Sequence, residues 1–90
     1  MDAAANATAT NGIAIGKGAQ ANAVNAISIG TGNIVSGVNS GALGDPSTVS
    51  GAGSYSVGNN NTITADNAFV LGNNVTNAVN GSVVLGNGAT

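Results

Sequence analysis

The sequence predicts an all-β protein, a parallel β-solenoid built from coils of 14 residues each. Three observations support this fold class. One glycine recurs every 14 residues along the chain, an apolar residue directly precedes each of these glycines, and a second short alternating track follows five to seven residues later. The repeated glycines are Gly16, Gly30, Gly44, Gly58, Gly72 and Gly86. We expect one unit over residues 1–90, with about six coils.

The first strand of each coil is predicted to be the three-residue segment before the glycine, for example 13–15 (Ile-Ala-Ile) and 69–71 (Phe-Val-Leu). The glycine supplies the positive φ that a sharp corner requires. The middle residue of every segment is also small or apolar, so this strand has no water-facing side. We therefore expect the middle residues to face outward and to pack against another copy of the chain. These predicted interface residues are Ala14, Ser28, Ala42, Ser56, Val70 and Val84.

The second strand alternates small apolar with polar residues, as in segments 35–37 (Val-Ser-Gly) and 49–51 (Val-Ser-Gly). Such alternation predicts a sheet with one buried face and one face toward water. Asn77 stands where this pattern needs an apolar residue, so we expect it to disturb the fifth coil. Four asparagines, five residues before a repeated glycine, are predicted to adopt the left-handed conformation at the other corner and to form a hydrogen-bonded ladder. They are Asn11, Asn25, Asn39 and Asn67.

The composition argues against several classes of function. The chain contains one lysine, three aspartates, no histidine and no cysteine. Clustered basic residues, which binding to nucleic acid requires, are missing, as is the basic amphipathic helix of a membrane-surface protein. A nucleophile would lack its usual base, and a metal would lack soft ligands. We therefore expect no enzyme activity, no metal, no cofactor, no nucleic-acid partner and no direct membrane contact.

Four individual residues invite a functional interpretation. Segment 12–18 (Gly-Ile-Ala-Ile-Gly-Lys-Gly) superficially resembles a phosphate-binding loop, but its spacing is one residue short, so Lys17 is predicted to be a turn residue. Asp45 precedes a proline and is predicted to cap a turn; it falls in a different column from Asp66, which disfavours a paired carboxylate or calcium site. Tyr55 shares a column with the phenylalanine that follows 14 residues later, which predicts an aromatic stack inside the roll rather than a ligand platform.

The repeats resemble those of a known family. Segments 25–30 (Asn-Ala-Ile-Ser-Ile-Gly) and 81–86 (Gly-Ser-Val-Val-Leu-Gly) are similar to the repeated Asn-Ser-Val-Ala-Ile-Gly motif of YadA-like heads of trimeric autotransporter adhesins. Segment 49–51 is similar to that family's second half-repeat. The resemblance spans nearly the whole chain, which we expect to be a head fragment without the family's neck, coiled-coil stalk and membrane anchor.

This resemblance implies a left-handed parallel β-roll assembled as a homotrimer. It also implies an extracellular location on a Gram-negative cell surface, anchored in the outer membrane by other parts. The implied function is attachment to a host matrix protein such as collagen, fibronectin or laminin, to an epithelial receptor, or to neighbouring bacteria.

Other functions also fit a repetitive chain. A passive structural spacer within an adhesin fibre is the principal alternative, and the sequence is consistent with both. Acyltransferases with hexapeptide repeats use three six-residue sides per coil and a catalytic histidine, which this chain does not match. Ice-binding solenoids carry a regular Thr-x-Thr ladder, and only segments 8–10 and 62–64 resemble one.

Overall fold

The computed structural model describes residues 5–89, and within this range it has twelve short β-strands. In chain order they are β1 (Asn6–Ala7), β2 (Ile13–Ile15), β3 (Gln20–Ala21), β4 (Ile27–Gly30), β5 (Ile34–Val35), β6 (Gly41–Gly44), β7 (Thr48–Val49), β8 (Tyr55–Val57), β9 (Thr62–Ile63), β10 (Phe69–Leu71), β11 (Thr76–Asn77) and β12 (Val83–Leu85).

The strands form two six-stranded parallel sheets. Strands with even numbers make the first sheet and strands with odd numbers make the second, in chain order in both. Each residue pairs with the residue 14 positions along the chain: Phe69, for example, lies between Tyr55 and Val83. The molecule extends 33 × 21 × 12 Å, and its small thickness reflects two sheets packed face to face. The predicted parallel solenoid with a 14-residue period is confirmed.

The interior is formed by the middle position of each first-sheet strand and the second residue of the second-sheet strands β3, β5, β7, β9 and β11; the second residue of β1, Ala7, is exposed. In the first sheet the flanking residues point outward and the middle residue inward, as in β10, where Val70 is buried while Phe69 and Leu71 are exposed. The six middle residues are 0–7% exposed in the single chain. The prediction that Ala14, Ser28, Ala42, Ser56, Val70 and Val84 face outward toward another copy is therefore wrong.

The narrow interior explains this reversal. The two sheets are so close that Ala, Ser and Val from the first sheet fill the space opposite Val35, Val49 and Ile63 of the second. Two interior serines also find hydrogen-bond partners: Ser28 Oγ donates to the Asn33 carbonyl over 3.1 Å, and Ser56 Oγ accepts from Asn61 Nδ2 over 3.0 Å. The larger Ile, Leu, Phe and Tyr side chains of the first sheet are left outside.

The second sheet follows the sequence prediction. Val35, Val49 and Ile63 are fully buried, whereas the polar residues that alternate with them are exposed. Asn77 is buried as well, yet it does not disrupt its coil. Its Nδ2 donates to Ser82 Oγ over 2.8 Å and its Oδ1 accepts from the Val79 backbone over 3.0 Å. A polar group in the interior is tolerated because it is hydrogen-bonded.

Both corners use residues in the left-handed conformation. The predicted asparagine column is confirmed, since Asn11, Asn25, Asn39 and Asn67 have φ between 54° and 61°. Asn25 Nδ2 donates to Asn39 Oδ1 over 2.9 Å, so one rung of the predicted ladder is present. A second left-handed column, which includes Asn60 and Asn74 with φ of 59°, lies at the opposite corner and was not predicted.

Candidate self-association surface

The outer side of the first sheet carries two parallel columns of apolar side chains, which we call the apolar face. Its first column is the residue before each buried middle residue, and its second column is the residue after it. The apolar face consists of Ile13, Ile27, Gly41, Tyr55, Phe69 and Val83 in the first column and Ile15, Ile29, Leu43, Val57, Leu71 and Leu85 in the second.

Most of these side chains are in contact with solvent. Leu71 is 56% exposed and Leu85 is 67% exposed, although a leucine of a folded domain is more often buried. The backbone between the columns forms the floor of shallow grooves that follow the solenoid axis. One groove of about 200 Å³ lies between Ile27, Ile29, Leu43 and Tyr55, and a second of about 190 Å³ continues it toward Leu85. The apolar face therefore presents both ridges and grooves.

Tyr55 and Phe69 form the predicted aromatic stack, with ring centroids 5.6 Å apart and planes inclined by 14°. The stack lies on the apolar face and not inside the roll, which corrects its predicted location. On its other side the Tyr55 ring covers Gly41, where an added Cβ would lie 2.9 Å from Tyr55 Cδ2. The two rings shield each other's faces, so this pair does not offer a flat platform to a ring-shaped ligand.

The charged side chains of residues 5–89 lie away from the apolar face. Lys17 and Asp45 are exposed in turns at one corner, and Asp66 is exposed at the other. Asp66 accepts a hydrogen bond from the Ala52 backbone over 3.0 Å. The predicted cap at Asp45 is reversed: its backbone N–H donates to Asn59 Oδ1 over 3.1 Å, so the asparagine of the next coil caps the turn.

Five of the six repeated glycines, all except Gly86, lie where successive coils approach each other closely. Five of the six have a positive φ, as predicted, and Gly72 is the exception. At Gly58, with φ of 132°, an added Cβ would lie 1.7 Å from the Gly72 carbonyl oxygen. Even Gly72 has no room for a side chain, because the Gly86 carbonyl oxygen would be 2.1 Å away. Both the conformation and the contact thus require glycine in this column.

Buried polar side chains below these corners were not predicted. Asn61 donates from Nδ2 to the Gly72 carbonyl over 2.9 Å and accepts at Oδ1 from the Val75 backbone over 3.0 Å. Asn33 makes the equivalent bonds to Gly44 and Ser47. In the sequence these asparagines are three residues after a repeated glycine, and that constant spacing was the available signal.

The outer side of the second sheet is uncharged and mostly polar, with Ile34 as an exposed apolar residue. Thr48, Thr62 and Thr76 form one exposed column, and Ser36, Ser50 and Thr64 belong to the next. In residues 5–89 no three His, Cys, Asp or Glu side chains come together as a metal site would require. The same residues include no helix long and apolar enough to cross a membrane.

No protein-family model matches this chain, and no curated protein matches it either.

Proposed function

We propose that this chain is a non-enzymatic, self-associating segment of an extracellular fibre, and that it acts as the head of a bacterial adhesin. The observation that carries the proposal is the apolar face, a continuous and uncharged sheet surface that spans all six coils. Monomeric soluble proteins rarely expose so large an apolar patch, and such a patch marks an interaction site.

The partner that fits this surface best is a second copy of the same chain. The broad side of the molecule, 33 by 21 Å, covers roughly 700 Å², close to the ~800 Å² per partner of a standard interface. The ridges and grooves of the apolar face follow the solenoid axis with a constant spacing between coils. The ridges of a second copy aligned along that axis therefore have the same spacing. Since no charged side chain of residues 5–89 lies on the apolar face, association requires no charge to be desolvated.

The number of copies and the biological role rest on the sequence resemblance. YadA-like heads are trimers on the surface of Gram-negative bacteria, and three copies of this chain arranged around an axis would bury their apolar faces together. The polar outer side of the second sheet then remains free for a host matrix protein such as collagen, fibronectin or laminin, or for an epithelial receptor. No cofactor is required for such a role.

The test of self-association compares substitutions on the outer sides of the two sheets. Leu71→Lys with Leu85→Lys places charges on the apolar face, and we expect monomers that keep their β-sheet circular dichroism. Thr64→Lys, on the polar side of the second sheet, is the matched control and should leave the assembly intact. Light scattering gives the mass. A wild-type chain that is monomeric at high micromolar concentration would refute the proposal.

A passive spacer within the fibre is the second candidate. The uninterrupted 14-residue register over both sheets favours it, because a regular solenoid is a stiff rod. A binding screen of the assembled protein against collagen, fibronectin, laminin and epithelial receptors separates the two roles. Binding that Thr62→Lys weakens without dissociating the assembly would support the head, and an assembled protein that binds none of them would support the spacer.

A further inference from the structure

The apolar face repeats from coil to coil, and this repetition creates a problem of register. Two copies that meet through it can be displaced by one coil, ~4.8 Å, and still pack Ile, Leu and Val against one another. A register that several arrangements satisfy is weakly specified, and proteins usually fix it with a local departure from the pattern. The residues that break the repeat are therefore the ones that can select one arrangement.

The apolar face departs from its aliphatic pattern at three consecutive coils. Gly41 has no side chain, whereas the next two positions of the same column are Tyr55 and Phe69. The other nine positions are all Ile, Leu or Val. Gly41 is buried beneath the Tyr55 ring, and it lines a groove of about 200 Å³ on this face. The first column thus has a position without a side chain, which we call the gap, followed directly by its two bulkiest side chains.

We propose that the gap at Gly41 and the stacked pair of Tyr55 and Phe69 fix the axial register of self-association. This inference rests on the self-association proposed above. In a closed rotational assembly all copies stand at one height, so the first column of one copy meets the second column of its neighbour at the same coil. The neighbour's Leu43 then lies opposite the gap, and the smaller Val57 lies opposite Tyr55.

A displaced register loses this compensation in size. With a shift of one coil, the gap meets Ile29 or Val57 of the neighbour, and the Tyr55 ring meets Leu43 or Leu71 in place of the smaller Val57. Displaced copies also fail to close under rotation and form open-ended assemblies. The irregular residues therefore select a closed assembly over a polymer.

The experiment uses single cysteines, since the natural chain has none. Chains with Val83→Cys, in the first column, are mixed with chains that carry Leu85→Cys or Leu71→Cys, both in the second column. The mixture is assembled and oxidised, and the disulfide-linked peptides are quantified by mass spectrometry. Links between positions 83 and 85, which belong to one coil, report copies at one height, and links between positions 83 and 71 report displacement by one coil. We expect the same-height links in about tenfold excess, which corresponds to ~1.4 kcal/mol between registers.

The same measurement is made in a variant whose apolar face carries Ile, Leu or Val at every position. This variant combines Gly41→Ile, Tyr55→Ile and Phe69→Ile. We expect the ratio of the two kinds of link to fall to about one and light scattering to show larger, heterogeneous assemblies. Circular dichroism checks folding. If the triple variant does not fold, Tyr55→Ile with Phe69→Ile, which leaves Gly41 free, takes its place.

Four results are decisive. An unchanged excess of same-height links in the folded variant would overturn the proposal, because the register would then be fixed elsewhere. Displaced links in the natural background, or an assembled protein with neither kind of link, would overturn it as well. A monomeric natural chain would instead refute the self-association on which the inference depends.

Discussion

Asn61 is the residue whose loss we expect to destabilise the fold most directly through hydrogen bonding. It is 1% exposed and makes three side-chain hydrogen bonds, donating to Ser56 Oγ and the Gly72 carbonyl and accepting from the Val75 backbone. In Asn61→Ala these three groups remain in the interior without their partner. Leaving a buried polar group unsatisfied costs about 1–3 kcal/mol. Because Ser56 can reorient its hydroxyl, we count two full losses.

The expected loss in the free energy of unfolding is therefore about 2–6 kcal/mol, a large part of the stability of a small domain. Urea unfolding followed by circular dichroism measures it, at one fixed chain concentration because self-association would add to the apparent stability. The matched control is Thr62→Ala, the next residue along the chain, which is exposed on the second sheet. It should change the free energy by less than about 0.5 kcal/mol.

Equal effects of Asn61→Ala and Thr62→Ala would refute the reasoning. They would mean that water enters the corner and replaces the amide, so that the buried asparagines are not structural. The position three residues after each repeated glycine, where Asn61 lies, accepts apolar residues in other coils, since Ala19 and Val75 occupy it there. The expected cost thus arises from the orphaned partners of Asn61 and not from the change in polarity alone.

Three further predictions concern the corners and the apolar face. Gly58→Ala should lower the free energy of unfolding by more than about 4 kcal/mol, because the added Cβ collides with the next coil. Gly81 also has a positive φ, but an added Cβ there has nothing within 4 Å. Gly81→Ala should therefore lower the free energy of unfolding by only about 1–2 kcal/mol. Equal urea midpoints would contradict this. Asn39→Gly should be nearly neutral and Asn39→Ala should cost about 1 kcal/mol, since the position has φ of 59°; thermal unfolding measures both, and a more stable alanine variant would contradict the argument. Self-association through an uncharged face should change by less than about threefold between low and physiological salt, and sedimentation that shows a steep loss would point to a charged interface.

Much of the architecture was predictable from the spacing of residues. The period of 14 fixes which residues pair across neighbouring strands, because in a parallel solenoid the repeat length is also the register. The left-handed asparagines and the close-packed glycines follow from local backbone sterics, which a sequence records directly. The water-facing side of the second strand follows from alternation between polar and apolar residues, and Val35 beside Ser36 is sufficient to indicate it.

The orientation of the first strand was decided only by the tertiary structure. Ile13, Ala14 and Ile15 are all apolar, so alternation does not identify the inner side. The distance between the two sheets decides: a body only 12 Å thick accepts Ala, Ser and Val but not two columns of Ile, Leu and Phe. The sequence by itself thus determined the repeat, the corners and the scarcity of charge. The three-dimensional packing determined that the largest side chains lie outside, where they form the apolar face, because the volume between the sheets is too small to hold them.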